Sequence, residues 1–239
     1  KNGLINKEYI LELCREIALL IRMGNKVCLV SSGARASGFG SINSDLYENE
    51  LYINQALCSI GQVKLMNTYS QALVFWGINV AQILLCREDF GNRKRFLNLR
   101  NTLIGLNEMN ALPVINENDT VATEEITLGD NDTLAAMFAI GWGADYLMLF
   151  TSVDGVYDKN QKVIKEYTDN VELKTMNGTS WGKGGIHSKI KMAISASKSG
   201  IKTVICNGKK LENIRKFIDG EHVDTIFNTQ KSHSAKKNW

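Results

Sequence analysis

Four segments of the chain carry residue types that could do chemistry. Asn116-Glu117-Asn118-Asp119 places four strongly polar residues directly behind the apolar run Leu112 to Ile115. Amides and carboxylates together can grip an ammonium group while satisfying one another. The same residues also build local Asx turns, and at this level the two readings weigh evenly. Gly129-Asp130-Asn131-Asp132-Thr133 sets two carboxylates and an amide at the start of a predicted helix, where the macrodipole favours negative charge. Capping accounts for one of them; three together form a cluster suited to orienting donors or holding a metal-bound phosphate. Gly182-Lys183-Gly184-Gly185-Ile186-His187-Ser188-Lys189 is a glycine-rich loop running into a helix, the general arrangement for holding phosphate oxygens on backbone amides. Lys183 and Lys189 could neutralise a transferring phosphoryl group, although an exposed loop with lysines has the same composition. Ser31 to Gly40, with three glycines, suits close approach of backbone N–H groups to an anion. Taken alone, this last segment reads better as an ordinary strand-to-helix turn.

Other chemistries lose their support. There is no G-x-x-x-x-G-K-[ST] loop, and no G-x-G-x-x-G follows a strand, so P-loop and dinucleotide readings fail. His187, His222 and His233 have no second ligand at metal spacing, so no metal ligand set is predicted, and His187 reads as a loop donor. The cysteines Cys14, Cys28, Cys58, Cys86 and Cys206 lie far apart without a C-x-x-C pair. They read as small buried hydrophobes in a reducing, cytoplasmic setting.

The elements that must position these segments alternate. Ile10, Leu13, Ile17, Leu20 and Ile21 recur at helical spacing, Gly24 offers a C-cap, and Val27 to Val30 form a short apolar strand. A helix over Val63 to Trp76 precedes a strand at Asn79 to Leu85, and a helix over Arg93 to Glu108 precedes one at Leu112 to Ile115. Helices over Thr133 to Ile140 and Ser188 to Ser199 precede strands at Tyr146 to Phe150 and Thr203 to Cys206. Short apolar strands separated by helices predict a mostly parallel open sheet covered on both faces, a three-layer α/β/α sandwich. The single proline, Pro113, is expected to open its strand. In such sheets ligands bind at the carboxyl ends of strands, where Ser31-Ser32, Asn116 to Asp119 and Thr151-Ser152-Val153-Asp154-Gly155 all fall.

Composition sets the remaining bounds. With 28 basic and 25 acidic residues, a formal charge of +3 over 239 residues offers no field to gather nucleic acid. The uncharged run Leu65 to Cys86 is long enough to span a bilayer, but Asn67, Ser70, Gln71, Asn79 and Gln82 would sit in lipid. No signal-peptide pattern opens the chain, and no membrane association is expected.

These segments, in this order, resemble the amino acid kinase family, and within it the glutamate 5-kinases. The resemblance rests on Val30-Ser31-Ser32-Gly33-Ala34, the stretch Gln55-Ala56 to Gly61-Gln62, and Ile115-Asn116-Glu117-Asn118-Asp119-Thr120-Val121-Ala122. Gly129 to Asp132, Asp154-Gly155-Val156-Tyr157 and the Gly184-Gly185 to Lys189 loop complete it. It implies transfer of the γ-phosphate of ATP, with Mg²⁺, to the side-chain carboxylate of L-glutamate, the first step of proline biosynthesis. By resemblance, Ser32, Asp119 and Asn131 bind glutamate with Asn116 beside them. Asp132 organises the catalytic lysines, and Lys189 stabilises the phosphoryl group in flight. Thr151 and Ser152 match the nucleotide-binding pair, and Lys183, Gly184 and Gly185 the loop over the ATP phosphates. Proline as feedback inhibitor and a homodimer or homotetramer are further implications.

Three departures accompany the resemblance. The family opens with a strand bearing a lysine and a Gly-Ser or Gly-Thr pair, whereas this chain opens in the helix that follows. Ser152 stands where the family has aspartate, and Lys183 where it has threonine before the paired glycines. Asp158 to Gly182 is shorter than is usual. Residues 1–239 are therefore expected to form a single kinase domain without its first strand and without the RNA-binding-like or reductase domain that some members add. A sister kinase acting on another small carboxylate, such as aspartate or N-acetylglutamate, is the alternative enzyme; an amino-acid-sensing, non-catalytic kinase-like subunit is the alternative of another class.

Overall fold

The computed structural model describes residues 5–40, 51–121, 130–168 and 185–229. Lys183, Gly184, Gly129 and the basic C-terminal stretch lie outside them. The chain divides into two compact units, residues 1–126 and 127–239.

The first unit is built on a three-stranded parallel sheet in the order β1-β3-β2, comprising β1 (Leu29–Val30), β2 (Asn79–Leu85) and β3 (Ala111–Glu117). Its helices are α1 (Lys7–Arg22), α2 (Ala34–Phe39), α3 (Leu51–Leu73), α4 (Arg87–Gly91) and α5 (Arg93–Glu108). α1 begins where the Asn6 side chain accepts the Tyr9 N–H at 3.0 Å, and it buries Ile10, Leu13, Cys14, Ile17, Ala18 and Leu20 along one face. Gly24, at φ +88°, follows its C-cap as expected. The centre of the core is β3, where Leu112, Val114 and Ile115 are fully buried.

Pro113 does not open its strand; it lies inside the central one. Alternate residues of a strand bond to opposite sides. The Ile115 carbonyl accepts from Ser31 on the β1 side, while the Asn118 N–H donates to Leu85 on the β2 side. Pro113 shares the parity of Ile115 and so faces β1, whose pairing begins only with Leu29 opposite Val114. Its missing N–H therefore breaks no ladder bond, and it explains why β1 is two residues long rather than the four expected from Val27 to Val30.

The second unit pairs β4 (Tyr146–Thr151) parallel to β5 (Lys202–Asn207), with β6 (Thr225–Phe227) antiparallel on the far side of β5. α6 (Asp130–Trp142) and α7 (Ile186–Lys198) pack on each other and on β4, and α8 (Asn213–Ile218) follows β5. Val204, Cys206, Phe217, Val223 and Ile226 form a buried cluster flanked by Met148 and Phe150. Among the described residues, no helix is long and apolar enough to cross a membrane.

Candidate active site

In the first unit, three parallel strands deliver their exits to one end of the sheet. Ser31 leaves β1 beside the end of β3, its N–H donating to the Ile115 carbonyl at 2.9 Å, and Asn118 ties the exit of β3 to that of β2. Ser31 is buried, its hydroxyl 2.8 Å from that of Tyr69 on α3, whereas the next residue, Ser32, is exposed. Gly33, at φ +104°, turns the chain into α2. Asn116 is 3% exposed; its Nδ2 donates to Gln62 Oε1 at 3.0 Å and its Oδ1 accepts the Glu117 N–H at 2.9 Å. Asp119, half-buried two residues beyond the strand, accepts a hydrogen bond from the thiol of Cys58. Burial first, and then this carboxylate, push the Cys58 thiol up to about 12, with the Arg35 charge opposing them. The sheet end thus combines an exposed hydroxyl, a cation on α2 and a carboxylate. That set suits a small zwitterion or a carboxylic acid bearing an ammonium group.

In the second unit, Asp132 and Lys189 meet across 57 positions of sequence. Lys189 Nζ donates to both carboxylate oxygens of Asp132, at 2.6 and 2.9 Å, and each side chain is 18% exposed. Helix α6 starts at Asp130, three residues earlier than the apolar periodicity predicts, so the polar cluster forms its first turn instead of preceding it. Lys189 occupies the first turn of α7, which opens at Gly185. The pair therefore joins the N-terminal ends of two helices, both of which present backbone N–H groups and positive dipole ends. An ammonium held between a carboxylate and two such ends suits transient stabilisation of phosphate charge. Asn131 lies in the same first turn, half-buried, and His187, also in the first turn of α7, is exposed.

Thr151 ends β4, in register with Asn207 at the end of β5, and its carbonyl accepts the Gly208 N–H at 2.8 Å. Ser152 follows, exposed. Behind them is a network that sequence reasoning missed. Asp154 Oδ1 accepts from Asn207 Nδ2 at 2.8 Å and from Lys210 Nζ at 2.7 Å, while Asp224 Oδ2 accepts the Asn207 N–H at 2.8 Å and Asn213 Nδ2 at 3.1 Å. Lys210 first, then Asn207, hold the Asp154 carboxyl below its usual range. The available signal was Asn207-Gly208 at the end of an apolar strand, the pattern that had drawn notice at Asn116. Gln62 entered the sequence reading only as the end of a matching stretch and was given no role, although helical spacing from Cys58 and Tyr69 places it on the buried face of α3.

Residues 3–207 match the model of the amino acid kinase family. The chain belongs to the amino acid kinase family. Among amino acid kinases, a glutamate 5-kinase of Thermotoga maritima is 54% identical over 98% of this chain and 67% of its own length. One from Kosmotoga olearia is 58% identical over 100% of the chain and 68% of its own, and one from Alkaliphilus metalliredigens is 40% identical over 96% and 91%. The solved isopentenyl phosphate kinase of T. acidophilum superposes with a TM-score of 0.61 at 15% identity, covering 95% of this chain and 92% of its own. Carbamate kinase from Giardia lamblia gives 0.62 at 16% identity, covering 94% and 90%. The amino acid kinase fold is thus shared well beyond the range of sequence similarity. As an amino acid kinase, the chain carries its polar segments on strand exits and on the first turns of α6 and α7. The first unit brings together Ser32, Asn116 and Asp119 at one sheet end; the second brings Asp132 to Lys189 and places Thr151 and Ser152 at the end of β4 and Gly185 at the start of α7.

Proposed function

We propose that this chain is a glutamate 5-kinase, transferring the γ-phosphoryl group of ATP to the side-chain carboxylate of L-glutamate as the first step of proline biosynthesis. The observation that carries the mechanism is the Lys189–Asp132 pair at the first turns of α6 and α7. Phosphoryl transfer requires positioning and charge neutralisation more than covalent help. The glutamate side-chain carboxylate is already an anion, so one of its oxygens attacks the γ-phosphorus without a general base. The bond to the ADP oxygen breaks, ADP leaves, and the product is a mixed anhydride, glutamyl 5-phosphate. Lys189 neutralises charge on the group in flight, and Asp132 aims the ammonium that does so. Thr151, Ser152, Lys183, Gly184 and Gly185 hold the nucleotide. Mg²⁺ enters mainly through the ATP phosphates and screens their charge.

Ser32, Asp119 and Asn131 bind glutamate, and Asn116 shapes the segment that presents Asp119. The two units act as one kinase domain in this reading, in the cytoplasm, as a homodimer or homotetramer, with proline as feedback inhibitor. The test is ATP consumption by the full natural chain with Mg²⁺ and L-glutamate, set beside aspartate and N-acetylglutamate. Turnover with glutamate at least tenfold above the others supports the proposal. Preference for another carboxylate would make it a sister kinase, and binding of glutamate or proline without turnover would make it a sensor.

A further inference from the structure

Gln62 is a primary amide on the buried face of α3, 7% exposed and flanked by Leu57, Cys58 and Leu65 on the same face. An amide in such a place is tolerated when its donors and acceptor are matched. Its Oε1 accepts from Asn116 Nδ2 at 3.0 Å, and its Nε2 donates to Gln82 Oε1 at 3.3 Å. Asn116 passes the constraint on, because its own Oδ1 fixes the Glu117 N–H at 2.9 Å. One turn earlier on α3, the Cys58 thiol donates to Asp119 and Ser59 Oγ lies 3.1 Å from Thr120 Oγ1. α3 therefore grips the end of β3 at Asn116 and the segment after it at Asp119 and Thr120. The helix is itself held close to α2, since a methyl group at Gly61 would overlap the Ala34 carbonyl.

We propose that Gln62 is a positioning residue for glutamate recognition: with Ser59 as its outer companion, it holds Asn116 to Thr120 in the shape that presents Asp119 to the substrate. This deepens the functional reading above and rests on it. Gln62 acts through Asn116 and touches no reacting atom, so its loss weakens glutamate binding while leaving the chemical step and the nucleotide site in place.

The experiment is steady-state kinetics of the full chain, with glutamate and ATP titrated separately, on Gln62→Met and Gln62→Glu. Methionine keeps the length and apolar packing but removes both bonds; glutamate keeps an oxygen acceptor toward Asn116. Gln62→Met is expected to raise KM for glutamate about tenfold, with kcat and KM for ATP within about twofold of the parent. Gln62→Glu should return KM for glutamate to within about threefold, a rescue that general damage to the fold would not produce. An unchanged KM for glutamate in folded Gln62→Met, or a parallel loss in all three constants, overturns the proposal. Should Gln62→Met fail to fold, exposed Ser59→Ala carries the test: a rise of about two- to threefold in KM for glutamate alone is expected, and no change overturns it. A parent that does not turn over glutamate removes the functional reading and this inference together; an active parent with unmoved variants removes this inference alone.

Discussion

Replacing Lys189 by alanine is the perturbation with the most defined consequence. The side chain is held by two oxygens of one carboxylate at 2.6 and 2.9 Å and is only 18% exposed, so its charge acts where water screens it weakly. Removing one preorganised donor from a site of developing negative charge typically costs about 3–4 kcal/mol in the transition state, roughly 10²- to 10³-fold in kcat. KM for ATP should move much less, since the charge that Lys189 meets develops mainly during transfer. The same change strands the Asp132 carboxylate, at about 1–3 kcal/mol of stability, partly offset by its place in the first turn of α6. A coupled assay of ADP release, read beside a thermal melt, separates the two effects. Lys189→Arg keeps the charge but presents a planar fork in place of a compact ammonium, so it should recover only part of the lost rate. A folded Lys189→Ala protein with kcat within about fivefold of the parent would refute the role given to this lysine.

Three further outcomes follow from the packing and the charges. Gly61→Ala forces α3 away from Ala34 and Gly38 of α2 and should lower stability by about 2–3 kcal/mol, a fall of roughly 4–10 °C in Tm by calorimetry. Asp119→Asn should raise KM for glutamate about tenfold or more with KM for ATP unmoved; equal changes in both would place Asp119 outside the substrate site. Asp154 has a lowered carboxyl pKa in the folded chain, so its contribution is present above the unfolded value near 3.8 and is lost as pH falls through the lower folded value. Denaturation curves between pH 5 and about 2 should therefore be shallower for Asp154→Asn, and less so in high salt because the Asp154–Lys210 pair is about half exposed.

The regular elements were legible where local chemistry punctuates them. α5 runs from Arg93 to Glu108 as read, because Asn92 caps it through the Arg95 N–H, and β2 begins soon after the left-handed Gly77. The early start of α3 at Leu51 was not legible, since Asn54, Gln55 and Ser59 dilute its apolar periodicity. α8 and β6 are too short, at six and three residues, for a period to show. The shortness of β1 depends on which side Pro113 faces, a property of pairing and not of sequence. The site divides in the same way. Polar segments behind apolar strands marked Asn116 to Asp119 and Thr151, but no local signal joins Asp132 to Lys189 or Gln62 to Asn116, because each pair is made by helix packing.

The most direct test of the central claim is to trap the product. An acyl phosphate reacts with hydroxylamine to give a hydroxamate and free phosphate, whereas a phosphate ester or phosphoramidate does not under the same mild conditions. Incubating the full natural chain with Mg²⁺-ATP, L-glutamate and hydroxylamine should yield glutamate γ-hydroxamate in step with ADP, and none with Lys189→Ala. ADP release without hydroxamate, or hydroxamate formed from aspartate in place of glutamate, would contradict the account.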